Sequence, residues 1–396
     1  MNKTAIRLVA VAAIAGLGIA GCSSKKSSTA APASSAPAAA ATSAPAPAAT
    51  TSAPAPASSA PAPASSAPAA AGGTVGVILP DTQSSTRWET ADRPALVAAF
   101  GAAGIKADIQ NALGDNAKFQ SIAQSMIQEG VKVLIITSID PATSIQVETE
   151  AKAANIPVID YDRLVLGGSA AYYASYDGVQ VGDEQGQCLV DAMTKIGKPT
   201  GRIIMIDGSP TDNNATLFGQ GAHSVIDKST LKKVSEQAIP NWDNTQAGKT
   251  FQQLLTAAGN KIDGVYVMND GMAGPVITVL KANGLKVPVT GQDATSSGMQ
   301  AILSGDQTCT IYKDAKAEAT AAATLAVALI QGKTPDGLTT SNDPQGKRSV
   351  PSILLKPELI TIATIADPIK SGAVPYASVC TGAFVALCTK AGIAAS

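Results

Sequence analysis

From Thr74 onward, short apolar runs alternate with longer stretches whose apolar positions recur every three or four residues. The runs Val75–Leu79, Val133–Thr137, Pro157–Tyr161, Ile203–Ile206, Val265–Met268 and Val287–Thr290 predict strands. Helix-length segments lie between them, near Ala91–Ala103, Asn116–Glu129, Thr143–Ala154, Asp212–Ile226, Thr245–Ala258 and Ala273–Ala282. In one of these, Phe119, Ile122, Ala123, Met126 and Ile127 share one helical face. Strands of near-continuous Val and Ile suit a parallel sheet buried on both sides. Strand–helix alternation argues for open α/β sheets, with ligands beyond the carboxyl ends of the strands. About 320 residues hold more strands than the ~10 that one sheet accommodates, so two units are expected. The chain passes between them near Tyr172–Tyr176 and Cys309–Tyr312.

The residues able to do chemistry follow these strands. Arg87 and Trp88 end the stretch Asp81–Trp88, and Asp162-Arg163 follows Pro157–Tyr161. Asp212-Asn213-Asn214, Asn269-Asp270, Gln292-Asp293 and Lys313 close four more runs. Carboxylates, amides, a guanidinium and an ammonium suit a polyol, because each hydroxyl both donates and accepts a hydrogen bond and charge-assisted bonds are the stronger ones. Both tryptophans of the chain, Trp88 and Trp242, sit in this loop set and offer flat apolar platforms for the C–H faces of a sugar ring. A lone Asp or Asn after a strand commonly caps the next helix, and Asp212 and Asp270 look like caps. Six such loops together with both tryptophans point to a polar small-molecule site.

The first 72 residues carry another kind of information. Lys3 and Arg7 precede the apolar run Leu8–Ala20, which suits a signal peptide and is short for a hydrocarbon core of about 30 Å. It ends in Ile19-Ala20-Gly21-Cys22, which resembles a bacterial lipobox and implies cleavage after residue 21 with lipid on Cys22. Residues 27–71 are only Ala, Pro, Ser and Thr, with Ala-Pro-Ala-Pro-Ala-Ser-Ser in tandem at 53–59 and 60–66. Such a stretch has nothing to bury against its ordering entropy and reads as a disordered tether over 22–72.

Charge and composition narrow the function further. The formal charge is −1, and loss of Lys3, Arg7, Lys25 and Lys26 with the first 72 residues makes the remainder more acidic. With no dense Lys/Arg block, nucleic acid is not an expected partner. A single histidine, His223, excludes a His-rich metal centre and reads as a helix-surface residue. No GxxxxGK[ST] run occurs, and the GxGxxG match Gly16–Gly21 lies inside the apolar leader with no βαβ pattern around it, so no nucleotide cofactor is expected, and no metal with a single histidine.

The strings Arg87-Trp88, Ile159-Asp160-Tyr161-Asp162-Arg163 and Gly208-Ser209-Pro210-Thr211-Asp212-Asn213-Asn214-Ala215 resemble those of the sugar-binding proteins of bacterial ABC importers, in particular the D-xylose-binding group. Trp242-Asp243-Asn244-Thr245-Gln246-Ala247, Asn269-Asp270, Gly291-Gln292-Asp293-Ala294 and Tyr312-Lys313 extend the resemblance over nearly the whole folded part. It implies the type I periplasmic-binding-protein fold: two Rossmann-like lobes with parallel sheets on a three-segment hinge, 73–175 plus 313–345 and 176–312 plus 346–396. Arg87, Asp162, Arg163, Asn213, Asn269, Asp293 and Lys313 would bond a monosaccharide, with Trp88 and Trp242 over its faces. The stretch Asp81–Thr86 is one residue longer than the xylose-binding pattern, and Ala238 stands where that pattern has another Trp. The implied protein is an extracytoplasmic monomeric lipoprotein that delivers D-xylose or a similar aldose to an ABC permease and its ATPase.

Cys188, Cys309, Cys380 and Cys388 allow three disulfide pairings in an oxidising compartment. Cys188 lies on the helix that opens the second lobe and Cys309 on the strand that leaves it, which favours that pair, with Cys380–Cys388 as the other. The second bridge requires the helix there to break, because eight residues of unbroken helix would separate the Cα atoms by about 12 Å. Two other functions share these features. A sensor would pass the same closed form to a receptor or kinase. A glycosidase would need Asp162 and Asp293 about 5–9.5 Å apart with one of them protonated, which Arg163 and Lys313 oppose.

Overall fold

The computed structural model describes residues 72–394. The expected signal peptide, the lipid-bearing Cys22 and nearly all of the Ala/Pro/Ser tether lie outside the described residues. The first sheet has seven strands. Five are β1 (Thr74–Leu79), β2 (Lys106–Asn111), β3 (Val133–Ile136), β4 (Val158–Tyr161) and β5 (Tyr172–Tyr176). Their order 5-4-3-1-2 is parallel throughout. Alternate residues of β1 and β3 enter two separate cores: Val75, Val77, Leu79, Val133 and Ile135 on one side, Ile78, Leu134 and Ile136 on the other. Both faces are therefore covered, as their unbroken apolar sequence requires. α1 (Arg93–Ala102), α2 (Asn116–Gln128) and α3 (Pro141–Ala153) supply part of that cover.

The chain then enters the second unit through α4 (Gly178–Lys195), followed by β6 (Arg202–Asp207), α5 (Asn213–Ile226), β7 (Lys232–Ala238), α6 (Asn244–Ala257), β8 (Gly264–Val267), α7 (Asp270–Ala282) and α8 (Ser296–Ser304). The strand order is 7-6-8. α4 and α5 touch backbone to backbone, since a Cβ on Gly182 would lie 1.9 Å from the Phe218 carbonyl oxygen. The expected strand Val287–Thr290 shrinks to a single bridge, Val265–Val289. Pro288 has no N–H to give a ladder, although its carbonyl accepts from Val265 N at 2.9 Å.

After β9 (Cys309–Tyr312) the chain returns to the first unit as α9 (Ala315–Gln331), whose Ala319, Ala322 and Leu325 join the core beneath β1. β10 (Thr339–Asp343) and β11 (Arg348–Leu355) follow, and β11 pairs in parallel with β5. This corrects the expected division: residues 348–355 belong to the first sheet, not to a second-lobe segment beginning at 346. Its strand pairing moves the third crossing to the stretch between Leu355 and β12 (Glu358–Thr361), which pairs with β9.

Disulfides join Cys188 to Cys309 and Cys380 to Cys388. Helix Tyr376–Val379 stops at Cys380 and the next begins at Phe384, which brings the Cα atoms of the second pair to 5.8 Å. No helix among the described residues is long and apolar enough to cross a membrane.

Candidate functional site

The carboxyl ends of the two sheets face each other, and a small cavity of about 20 Å³ lies between them. On the first side, Arg87 begins a helical turn, Trp88–Asp92, that leads into α1. Its guanidinium is fixed by four short contacts. Nε and Nη2 donate to Asp92 at 2.7 and 2.6 Å, Nη2 also to Glu318 at 2.6 Å, and Nη1 to Asp162 at 2.9 Å. Tyr161 steadies Asp92 through its hydroxyl at 2.7 Å. Two cations lie over the Trp88 ring, with the Arg87 guanidinium carbon 4.6 Å and that of Arg163 5.3 Å from its centroid. Its Nε1 donates to Ser84 Oγ at 3.1 Å.

The second side contributes Asn214, Phe218, Trp242, Asn269, Gln292 and Asp293. Asn214 donates to the backbone and side-chain oxygens of Asp162 at 2.9 and 3.0 Å, and Asn269 donates to Ser84 O at 3.1 Å. Arg163 Nε meets Asp212 Oδ2 at 3.1 Å. Lys313, on the strap between the units, lies 3.2 Å from Asp162 and 3.4 Å from Asp293. These contacts cross from one unit to the other, so the structure is closed. Trp242 donates to Asp212 at 3.0 Å and packs edge-on against Phe218 at 6.4 Å. Residue 208 must be glycine here, since a Cβ would fall 2.1 Å from the Trp242 ring.

Backbone strain gathers at this place. Asp162, Trp242, Asp293 and Ala294 all have positive φ, at 64°, 54°, 94° and 47°. Such conformations cost energy for a residue with a Cβ and occur preferentially at ligand clamps. The loops are held from behind by carboxylates. Asp160 accepts from Val165 N at 2.8 Å in the loop carrying Arg163, and Glu148 accepts from Ser169 N. Asp270 accepts from Thr295 N, Gln307 and Thr310 at 2.8, 2.7 and 2.9 Å, fastening the loop carrying Asp293.

Burial alone would raise the Asp162 carboxyl, but Lys313, Arg87 and Arg163 outweigh it and hold the group well below the usual carboxylate range. It cannot serve as an acid near neutrality. Glu318, behind Arg87, is pushed up to about 8 by burial and by the charges of Asp162 and Asp92, against the pull of Arg87 and Lys313. The cavity thus presents cations, carboxylate and amide oxygens and two indole rings in one lining. Such groups can pair with neutral hydroxyls. Among the described residues no group of His, Cys, Asp and Glu side chains is arranged to hold a metal ion.

The model of the periplasmic binding protein domain matches residues 75–334. The chain belongs to this family. A D-xylose-binding periplasmic protein of Escherichia coli K12 is 36% identical over 301 residues, covering 74% of this chain and 88% of the relative. A multiple sugar-binding periplasmic protein of Azospirillum brasilense is 37% identical over 304 residues, 72% of this chain and 84% of the relative. Among solved structures, a carbohydrate transporter solute-binding protein of Chloroflexus aurantiacus in complex with D-glucose superposes with a TM-score of 0.69. It is 30% identical, covering 77% of this chain and 97% of that one. This periplasmic binding protein is therefore a binding protein and not an enzyme, and its family places it outside the cytoplasm.

Of the residues expected from sequence, Trp88, Asp162, Arg163, Trp242, Asn269, Asp293 and Lys313 line the inner cavity. Arg87 sits directly behind them on Asp162. Asn213 does not join them: it lines the outer cleft, and its neighbour Asn214 reaches Asp162 instead. Asp212 is the expected cap of α5, at 2.9 Å from Asn214 N, and also the partner of Arg163. Asp270 is not a cap; Asn269 fills that role, accepting from Met272 N at 2.9 Å. His223 lies on the surface of α5, between Asp227 and Glu236. Sequence reasoning missed Asp92, Glu318 and Phe218.

Proposed function

We propose that this periplasmic binding protein captures an aldose, D-xylose or a close relative, between its lobes and delivers it to an ABC permease and its ATPase. The observation that carries the reading is the cross-lobe cluster of Arg87, Asp162, Asn214, Asp293 and Lys313 between Trp88 and Trp242. Hydroxyls of a pyranose would take over contacts that these groups now make with one another. Closure is then favoured by the sugar's higher affinity for the closed form, in which both lobes touch it. The names of the xylose- and multiple-sugar-binding relatives support the ligand class. Lipid on Cys22 would anchor a monomer, with the Ala/Pro/Ser segment as its tether.

A thermal-shift panel of aldoses at millimolar concentration tests the reading. A sugar at 100 times its dissociation constant adds about 2.7 kcal/mol, or roughly 5–10 °C at about 2–4 °C per kcal/mol. A shift with D-xylose or a similar aldose is expected, and a flat panel from folded, sugar-free protein overturns it. Retention in the membrane fraction, lost in Cys22→Ala, checks the anchor.

A further inference from the structure

Outside the inner cavity the cleft widens to a second space of about 400 Å³. That lies within the range of about 300–1,000 Å³ typical of small-molecule sites. The two spaces share Ser84, Arg163, Asp212 and Trp242 as walls, and the Arg163–Asp212 pair spans the cleft between them at 3.1 Å. Each member of the pair keeps other partners if they separate: Arg163 donates to Ser138 O at 2.9 Å, and Asp212 accepts from Trp242 at 3.0 Å. The partition is therefore made of side chains able to part.

The outer space mixes apolar and polar walls. On the first lobe stands Leu113, 55% exposed and held at φ 58° by a hydrogen bond from its N–H to Asn111 at 2.8 Å. A leucine that is both solvent-exposed and left-handed is disfavoured twice over, which marks the position as one with a task. Ile139 and Leu166 line the cleft on the same lobe. On the other lobe the lining includes Asn213 and Asn241, and the first lobe adds Asn116, exposed at the start of α2. Apolar side chains among amides suit a second sugar ring, which has C–H faces and a hydroxyl rim.

We propose that the outer cleft is a second saccharide subsite, so that the protein also takes a glycosidically extended aldose. One terminal ring parts the inner cluster and enlarges that cavity, the linkage passes where Arg163 and Asp212 meet, and the next ring lies on Leu113. The inference rests on the aldose reading above. Titration calorimetry of the whole protein with D-xylose, β-1,4-xylobiose, D-glucose and cellobiose tests it. The variants are Leu113→Asn, which tolerates positive φ, and Asn116→Ala, which is exposed. At least one disaccharide should bind within about tenfold of its monosaccharide. The double variant should weaken that disaccharide about tenfold and its monosaccharide less than twofold. Monosaccharide binding without binding of either disaccharide, or equal weakening of both in the variant, overturns the subsite and leaves the aldose reading standing. If none of the four sugars binds, the subsite falls, and the thermal-shift panel decides the aldose reading separately.

Discussion

Replacing Arg87 by lysine separates charge from shape. The wild-type guanidinium places three nitrogens on four carboxylate oxygens: both of Asp92, one of Glu318 and one of Asp162, at 2.6–2.9 Å. A lysine ammonium keeps the positive charge but has no planar fork, and reaches one or two of these oxygens. Each lost bond to a charged partner is worth about 1.5–3 kcal/mol, so losing two or three gives about 3–9 kcal/mol. Direct disruption of buried ion pairs costs about 3–5 kcal/mol, which agrees. At about 2–4 °C per kcal/mol, a loss of about 3–5 kcal/mol should lower the melting temperature by roughly 6–20 °C. Urea titration with the slope checked against wild type gives the free energy, and Arg87→Met, which removes the charge as well, should be at least as damaging. A lysine variant within 1 kcal/mol of wild type would refute the claim that this fork organises the site.

Other perturbations test separate parts of the structure. Glu318 is raised from 4.5 to about 8 in the fold, so the native state holds its proton more tightly than the unfolded chain. Stability should therefore fall as pH rises between these two values, and Glu318→Gln should flatten that slope in urea melts taken across the range. Asp162 works the other way, contributing stability above its unfolded value of 3.8 that is lost as pH falls toward its depressed native value. Asn214→Ala removes two bonds to Asp162 across the cleft and should weaken aldose binding about 10–100-fold by calorimetry, whereas Asn213→Ala should change it less than threefold. Gly208→Ala drives a methyl into the Trp242 ring and should weaken binding about tenfold or more, while far-ultraviolet circular dichroism stays unchanged.

The strands legible in the sequence are those buried on both faces, such as β1, β3 and β6, whose apolar runs have no other use. β2 and β7 escaped notice because each pairs on one side only and carries the polar sequences KADIQN and KKVSEQA. The binding loops were legible because polar residues directly after central strands must lie at the carboxyl edge. What the sequence could not tell was rotation and distance. Asn213 and Asn214 differ by about 100° around the start of α5, and only the packing of that helix decides which one faces Asp162. Phe218 follows one turn after Asn214 on the same face, a signal usable once Asn214 is known. Glu318 reads as an ordinary helix-surface acid, and nothing in the spacing of 231 residues connects it to Arg87.

The chain holds two tryptophans, one on each lobe, and both line the inner cavity. Every photon of tryptophan emission therefore comes from a wall of the site. Titration of sugar-free protein with D-xylose, and with D-glucose as comparison, while emission is recorded, asks directly whether an aldose enters between the lobes. A saturable change that fits one site is expected with at least one aldose, diminished in Asn214→Ala. Emission unmoved by any aldose up to millimolar concentration, in protein whose melt shows it folded, would contradict closure on a sugar between Trp88 and Trp242.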